Sequence, residues 1–95
     1  MKSLENFLSA YRMNLEYFDL DRFAEDIMDI PHQIETIEKM YDKMSEEEKN
    51  EFLRLNKRLS DILEKVEPKN EIQVRILKIL RDTVEKEMAA GKIAA

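Results

Sequence analysis

Between Leu20 and Met44, apolar residues recur at Leu20, Phe23, Ile27, Ile30, Ile34, Ile37, Tyr41 and Met44, in steps of three and four. Steps that alternate in this way lay side chains along one face of a helix pressed against other helices. Pro31 falls inside the stripe, where its ring removes an N–H and collides with the carbonyl four residues back. A strand and a single unbroken helix are both excluded. The pattern predicts two helices that share a face across a joint. Pro31 then sits in the first turn of the second, where a missing N–H costs nothing.

The flanking segments read as helices that cover this stripe. Leu4, Leu8, Tyr11, Leu15 and Phe18, widened by Phe7, predict a helix over 4–18 with Ser3 as its N-cap. Met13 and Tyr17 lie off that face and are candidates for a second contact surface. Asp19 is placed to cap a helix over 20–29, and Pro31 opens the next, over 31–44. Ser45-Glu46-Glu47-Glu48 has the form of a capping box, so a fourth helix is predicted over 46–66, with Phe52, Leu55, Leu59, Ile62 and Val66 inward. Glu67-Pro68 ends it. Asn70, three residues before Gln73, starts a fifth helix over 70–90. Its apolar residues, Ile72, Ile76, Leu77, Ile79, Leu80, Val84 and Met88, span so wide an arc that burial on several sides is expected. Gly91 suits the left-handed position after a helix, and residues 92–95 are expected to fray. The fold class is therefore all-α: one helical bundle of four to five amphipathic helices over residues 1–95.

One glycine and two prolines are too few for the turns of an all-β fold. At 95 residues the chain builds one core, with no material left for a deep, dry enzyme cavity. The absence of cysteine excludes disulfides and thiolate metal sites. No apolar run approaches the ~20 residues of a membrane span, and the start shows no apolar signal segment, so no membrane partner and a cytoplasmic location are expected. Charge is uneven. Residues 1–48 hold five Lys/Arg against thirteen Asp/Glu, net −8; residues 49–95 hold eleven against eight, net +3. Such halves attract within one chain or between two antiparallel chains.

Few constellations carry chemistry. His32, the only histidine, lies among Asp26, Asp29 and Glu35 at three-residue spacing. A carboxylate-bridged metal site would draw ligands from four helices, so a structural or exposed His32 is expected. Glu47, Glu48 and Glu51 spell E-E-x-x-E. This resembles the first half of the magnesium-binding motif of all-α nucleotide pyrophosphohydrolases of the MazG type, which are small helical dimers. The resemblance implies an E-x-x-D partner motif one helix later, the carboxylates together holding cations that bind a triphosphate. The nearest counterpart here is Glu64-x-x-Glu67, with Glu in place of Asp and directly before Pro68. Glu47, Glu48, Glu51 and Glu64 are thus the candidate metal ligands of an enzymatic alternative. A second alternative is a DNA-binding regulator using Arg54, Lys57, Arg58, Arg75, Lys78 and Arg81. The overall charge of −5 and the lack of interleaved aromatics oppose nucleic acid.

The reading that remains is a non-enzymatic helical interaction module, an adaptor or regulator that needs no cofactor. Five amphipathic helices and six methionines offer more adaptable apolar surface than a small monomer readily hides. Self-association as a homodimer, or docking of another helical protein, is expected to bury it. Phe23, Ile27, Ile30 and Tyr41 are assigned as apolar anchors, and Asp21, Glu25, Asp26 and Asp29 as an acidic rim that sets partner choice.

Overall fold

Capping signals decide where the helices begin, and the strongest of them is at Ser45. In a computed structural model, which describes residues 2–95, the Glu48 amide donates to Ser45 Oγ at 3.1 Å. The Ser45 amide donates back to Glu48 Oε1 at 2.8 Å. This capping box opens α4 (Glu46–Lys65) where the sequence places it. Ser45→Ala is expected to cost about 1 kcal/mol in urea unfolding, and no loss of stability would show the box to be dispensable. Asn70 likewise accepts from the Gln73 amide at 2.9 Å and starts α5 (Glu71–Ala89). Gly91 follows at φ 72°, the left-handed turn expected there.

The first half of the chain departs more from expectation. α1 (Lys2–Glu16) starts before Ser3, which lies inside the helix rather than capping it. It ends at Glu16, so Tyr17 and Phe18 fall outside it. The Asp19 carboxylate accepts from the Asp21 amide, and its carbonyl from the amides of Arg22 and Phe23. A local turn of this kind competes with helix formation. The helix expected over 20–29 therefore shrinks to α2 (Ala24–Met28), whose N-cap position is occupied by Phe23 with no capping oxygen. α3 (Ile30–Lys39) carries Pro31 in its first turn, as predicted. It stops five residues short of Met44, and Tyr41–Lys43 form a 3-10 turn. That tighter turn redirects the chain while Met44 still reaches the core.

The molecule is an all-α bundle, with no strand among the described residues. α1 packs against α3 and α4, and α5 closes the ring against α4 and α3. Leu4, Leu8, Tyr11 and Leu15 of α1 share one core with Ile30, Ile34 and Ile37 of α3, Phe52, Leu55, Leu59 and Leu63 of α4, and Ile76, Leu77, Leu80 and Val84 of α5. The opening stripe keeps its phase through the proline joint: Leu20, Ile27, Ile30, Ile34, Ile37 and Met44 are all buried. α5 is corrected in one respect. In a ring of four helices each has two neighbours, so α5 buries one arc and leaves Ile72, Val74, Ile79 and Met88 exposed.

The segment after Gly91, expected to fray, is tied into the bundle. The Lys92 amide donates to the Glu87 carbonyl, the Ala94 amide to the Leu53 carbonyl, and Ile93 packs on the core. A buried polar chain anchors it. Tyr11 Oη donates to Asn56 Oδ1 at 2.8 Å, Asn56 Nδ2 donates to the Lys92 carbonyl at 2.8 Å, and Lys92 Nζ pairs with Glu38 at 2.8 Å. Lys92 also lies 4.5 Å from the Tyr41 ring centroid. Glu87 of α5 sits beside Glu38 with Oε1 buried and without a hydrogen-bond partner. Burial, then the charge of Glu38 and the hydrogen bond with it, pushes the Glu87 carboxyl up to about 7 against the pull of Lys92 and Lys86.

Candidate functional site

Ending α1 at Glu16 and winding 19–23 as a turn leaves a gap between α1 and α2. The resulting cleft, of about 200 Å³, is lined by Met13, Asn14, Tyr17, Phe23, Asp26 and Ile27. Met13, Tyr17 and Phe23 are 56%, 60% and 41% exposed, while Ile27 forms a buried floor. Asn14 Nδ2 donates to Gln33 Oε1 at 3.1 Å, which ties the α1 wall to α3. Small-molecule pockets run to roughly 300–1,000 Å³. A cleft of this size accepts one or two apolar side chains.

Of the expected anchors, Phe23 and Ile27 come to this cleft and the other two do not. Ile30 is fully buried where α3 meets the core, and it has no surface to offer a partner. Tyr41 is half-buried elsewhere, tilted against Phe52 at 6.3 Å and covered by the Lys49 and Lys92 ammonium groups. The stripe is mostly consumed by the chain's own α1, which presents four large side chains to it. Ile27 also contributes only an edge of its surface. Met13 and Tyr17, the off-face pair, supply the exposed wall instead.

The acidic residues divide as well. Asp21 accepts from Lys69 Nζ at 2.6 Å and Gln73 Nε2 at 2.8 Å, and these bonds hold its carboxyl below the usual range, Lys69 foremost. Glu25, Asp26 and Asp29 are exposed and have no ion-pair partner among the described residues. They leave an unneutralised negative rim along α2.

The other candidates do not assemble. Glu48 is held below its usual range by the Ser45 backbone hydrogen bond of the cap, and Glu51 pairs with Arg12. Glu64 shares α4 with Glu48, so roughly 24 Å of helix axis separates them. Glu47, Glu48, Glu51 and Glu64 cannot converge within one chain. Among the described residues no group of three His, Cys, Asp or Glu side chains is placed to hold a metal ion. His32 is exposed and meets Phe7 edge-on at 6.2 Å. Of the basic residues, Lys57 is paired with Asp61 at 2.9 Å, and Arg81 donates to the Leu63 carbonyl.

No family model matches the chain, and no curated protein and no solved structure matches it either. No helix among the described residues is long and apolar enough to cross a membrane.

Proposed function

We propose that this protein is a small, non-enzymatic helical interaction module that docks a helical partner in the α1–α2 cleft. The observation that carries this reading is the convergence of Met13, Tyr17 and Phe23 on one concave, acid-rimmed site. Exposed apolar groups gathered in this way mark contact surfaces, whereas scattered ones do not. Aromatic side chains at the rim supply large contact area for little conformational entropy. The unpaired carboxylates of α2 select a basic partner and speed its approach. As part of the same reading, the module works in the cytoplasm and without a cofactor.

A photo-reactive phenylalanine analogue at Tyr17, in cells expressing the protein, tests the proposal. Irradiation is expected to give one discrete protein adduct, lost when Phe23→Asp is added. The same analogue at the exposed Glu47 of α4 is expected to give none. Absence of an adduct from Tyr17, or the same adduct from Glu47, overturns the reading.

A further inference from the structure

The N-terminal half of α5 carries the chemistry that the cleft lacks. Ile72, Val74 and Ile79 are 69%, 50% and 43% exposed there, interleaved with exposed Arg75 and Lys78. Neither cation has an ion-pair partner among the described residues, just as Glu25, Asp26 and Asp29 have none at the cleft. One surface is a basic ridge with branched apolar side chains. The other is an acidic cleft sized for one or two such side chains.

The two surfaces lie at the same end of the bundle. Asp21, in the turn that leads to Phe23, accepts from Gln73 Nε2 and Lys69 Nζ. Gln73 sits between Ile72 and Val74, so that bond stitches the edge of the cleft to the foot of the ridge. We propose that the chain forms a two-fold homodimer in which the α1–α2 cleft of each copy receives the N-terminal half of α5 of the other. This rests on the cleft being a docking site and names its occupant as a second copy of the same chain.

Symmetry and charge both favour this arrangement. An axis passing near the shared end sets cleft on ridge twice, and the assembly closes at two subunits. Pairing cleft to cleft would instead oppose like carboxylates, and ridge to ridge would oppose like cations. The apolar side chains of the ridge supply the affinity. The matched charges fix the register and the association rate, so dimerisation weakens as salt rises.

Sedimentation equilibrium on the full chain at low salt tests the proposal through charge reversal. Wild type is expected to be a dimer. Glu25→Lys/Asp26→Lys and Arg75→Glu/Lys78→Glu, all exposed positions whose folding circular dichroism checks, are each expected to weaken association roughly tenfold or more. An equimolar mixture of the two variants is expected to recover the wild-type affinity, because every cleft then faces a ridge of opposite sign. A monomeric wild type overturns the homodimer, as do reversals without effect, or losses that mixing does not repair. If wild type is a monomer while Tyr17 still crosslinks to another protein, the homodimer falls and the docking reading stands. If Tyr17 gives no adduct at all, both fall.

Discussion

Asn56→Ala is expected to destabilise the fold by roughly 2–4 kcal/mol, more than its small change in volume accounts for. Asn56 is buried, and its side chain accepts from the Tyr11 hydroxyl and donates to the Lys92 carbonyl. Truncation removes both bonds and leaves the Tyr11 hydroxyl buried with nothing to donate to, which is the expensive outcome for a polar group. Burial, reinforced by the neighbouring Glu87 charge, raises the Tyr11 phenol well above its ordinary pKa, so at neutral pH it remains a donor. Tyr11→Phe alone is expected to cost about 1–2 kcal/mol by stranding Asn56 Oδ1. The double change Tyr11→Phe/Asn56→Leu is expected to cost about 1 kcal/mol less than the sum of the single changes. Urea unfolding of the set measures this, and strict additivity would refute the coupling. Amide exchange at Ala94 should quicken in Asn56→Ala, since the tail then holds to α4 only through the Leu53 carbonyl.

The second large effect is on pH. The Glu87 carboxyl titrates near 7 in the fold against about 4.5 when unfolded. The folded state therefore binds this proton more tightly, and stability falls as pH rises from about 4.5 through 7. The gap corresponds to roughly 3 kcal/mol, fully present below pH 4.5 and gone above pH 7. On deprotonation the charges facing Glu87 are Glu38 from α3 and Lys92 from the tail, with Lys86 on its own helix. Two neighbouring carboxylates then share one tail cation. Asp21 and Glu48, both held below their usual values, contribute stability that is lost only in more acid solution. Lys57, Lys69 and Lys92 are raised, and their contributions fade only in strongly alkaline solution. The window from pH 5 to 8 thus reports Glu87. Denaturation curves should show wild type weakening across it while Glu87→Gln stays flat and is the more stable at pH 8. A flat wild-type profile would sink this account of the buried carboxyl.

Local chemistry made much of the fold legible from the sequence. The Ser45 box, the Asn70 cap, Pro31 in a first turn and Gly91 after a last one depend on atoms within four residues. The core faces of α1, α3 and α4 followed from periodicity, because a helix with one apolar stripe has one way to bury it. Where two local signals competed, the sequence misled. Asp19 has the chemistry of a cap, yet its carboxylate and carbonyl close a turn over 19–23, and α2 is one turn long as a result.

The interaction surface was legible only in part, for a related reason. Periodicity shows which residues share a face but not how many partners that face meets. Phe23, Ile27, Ile30 and Tyr41 share one stripe, yet α1 covers Ile27 and Ile30, the tail and α4 cover most of Tyr41, and Phe23 alone stays open. Glu38, Lys92, Asn56 and Glu87 carry no motif, since they meet across 18 to 54 positions of sequence. The sequence by itself determined the class, the joints and the inward faces of this protein, because those are set by short-range hydrogen bonding and by a 3.6-residue period. Only the tertiary structure decided which apolar residues remain outside, that the tail is bound, and that one carboxyl is left buried beside another. Those outcomes turn on which helices become neighbours, and no single segment carries that information.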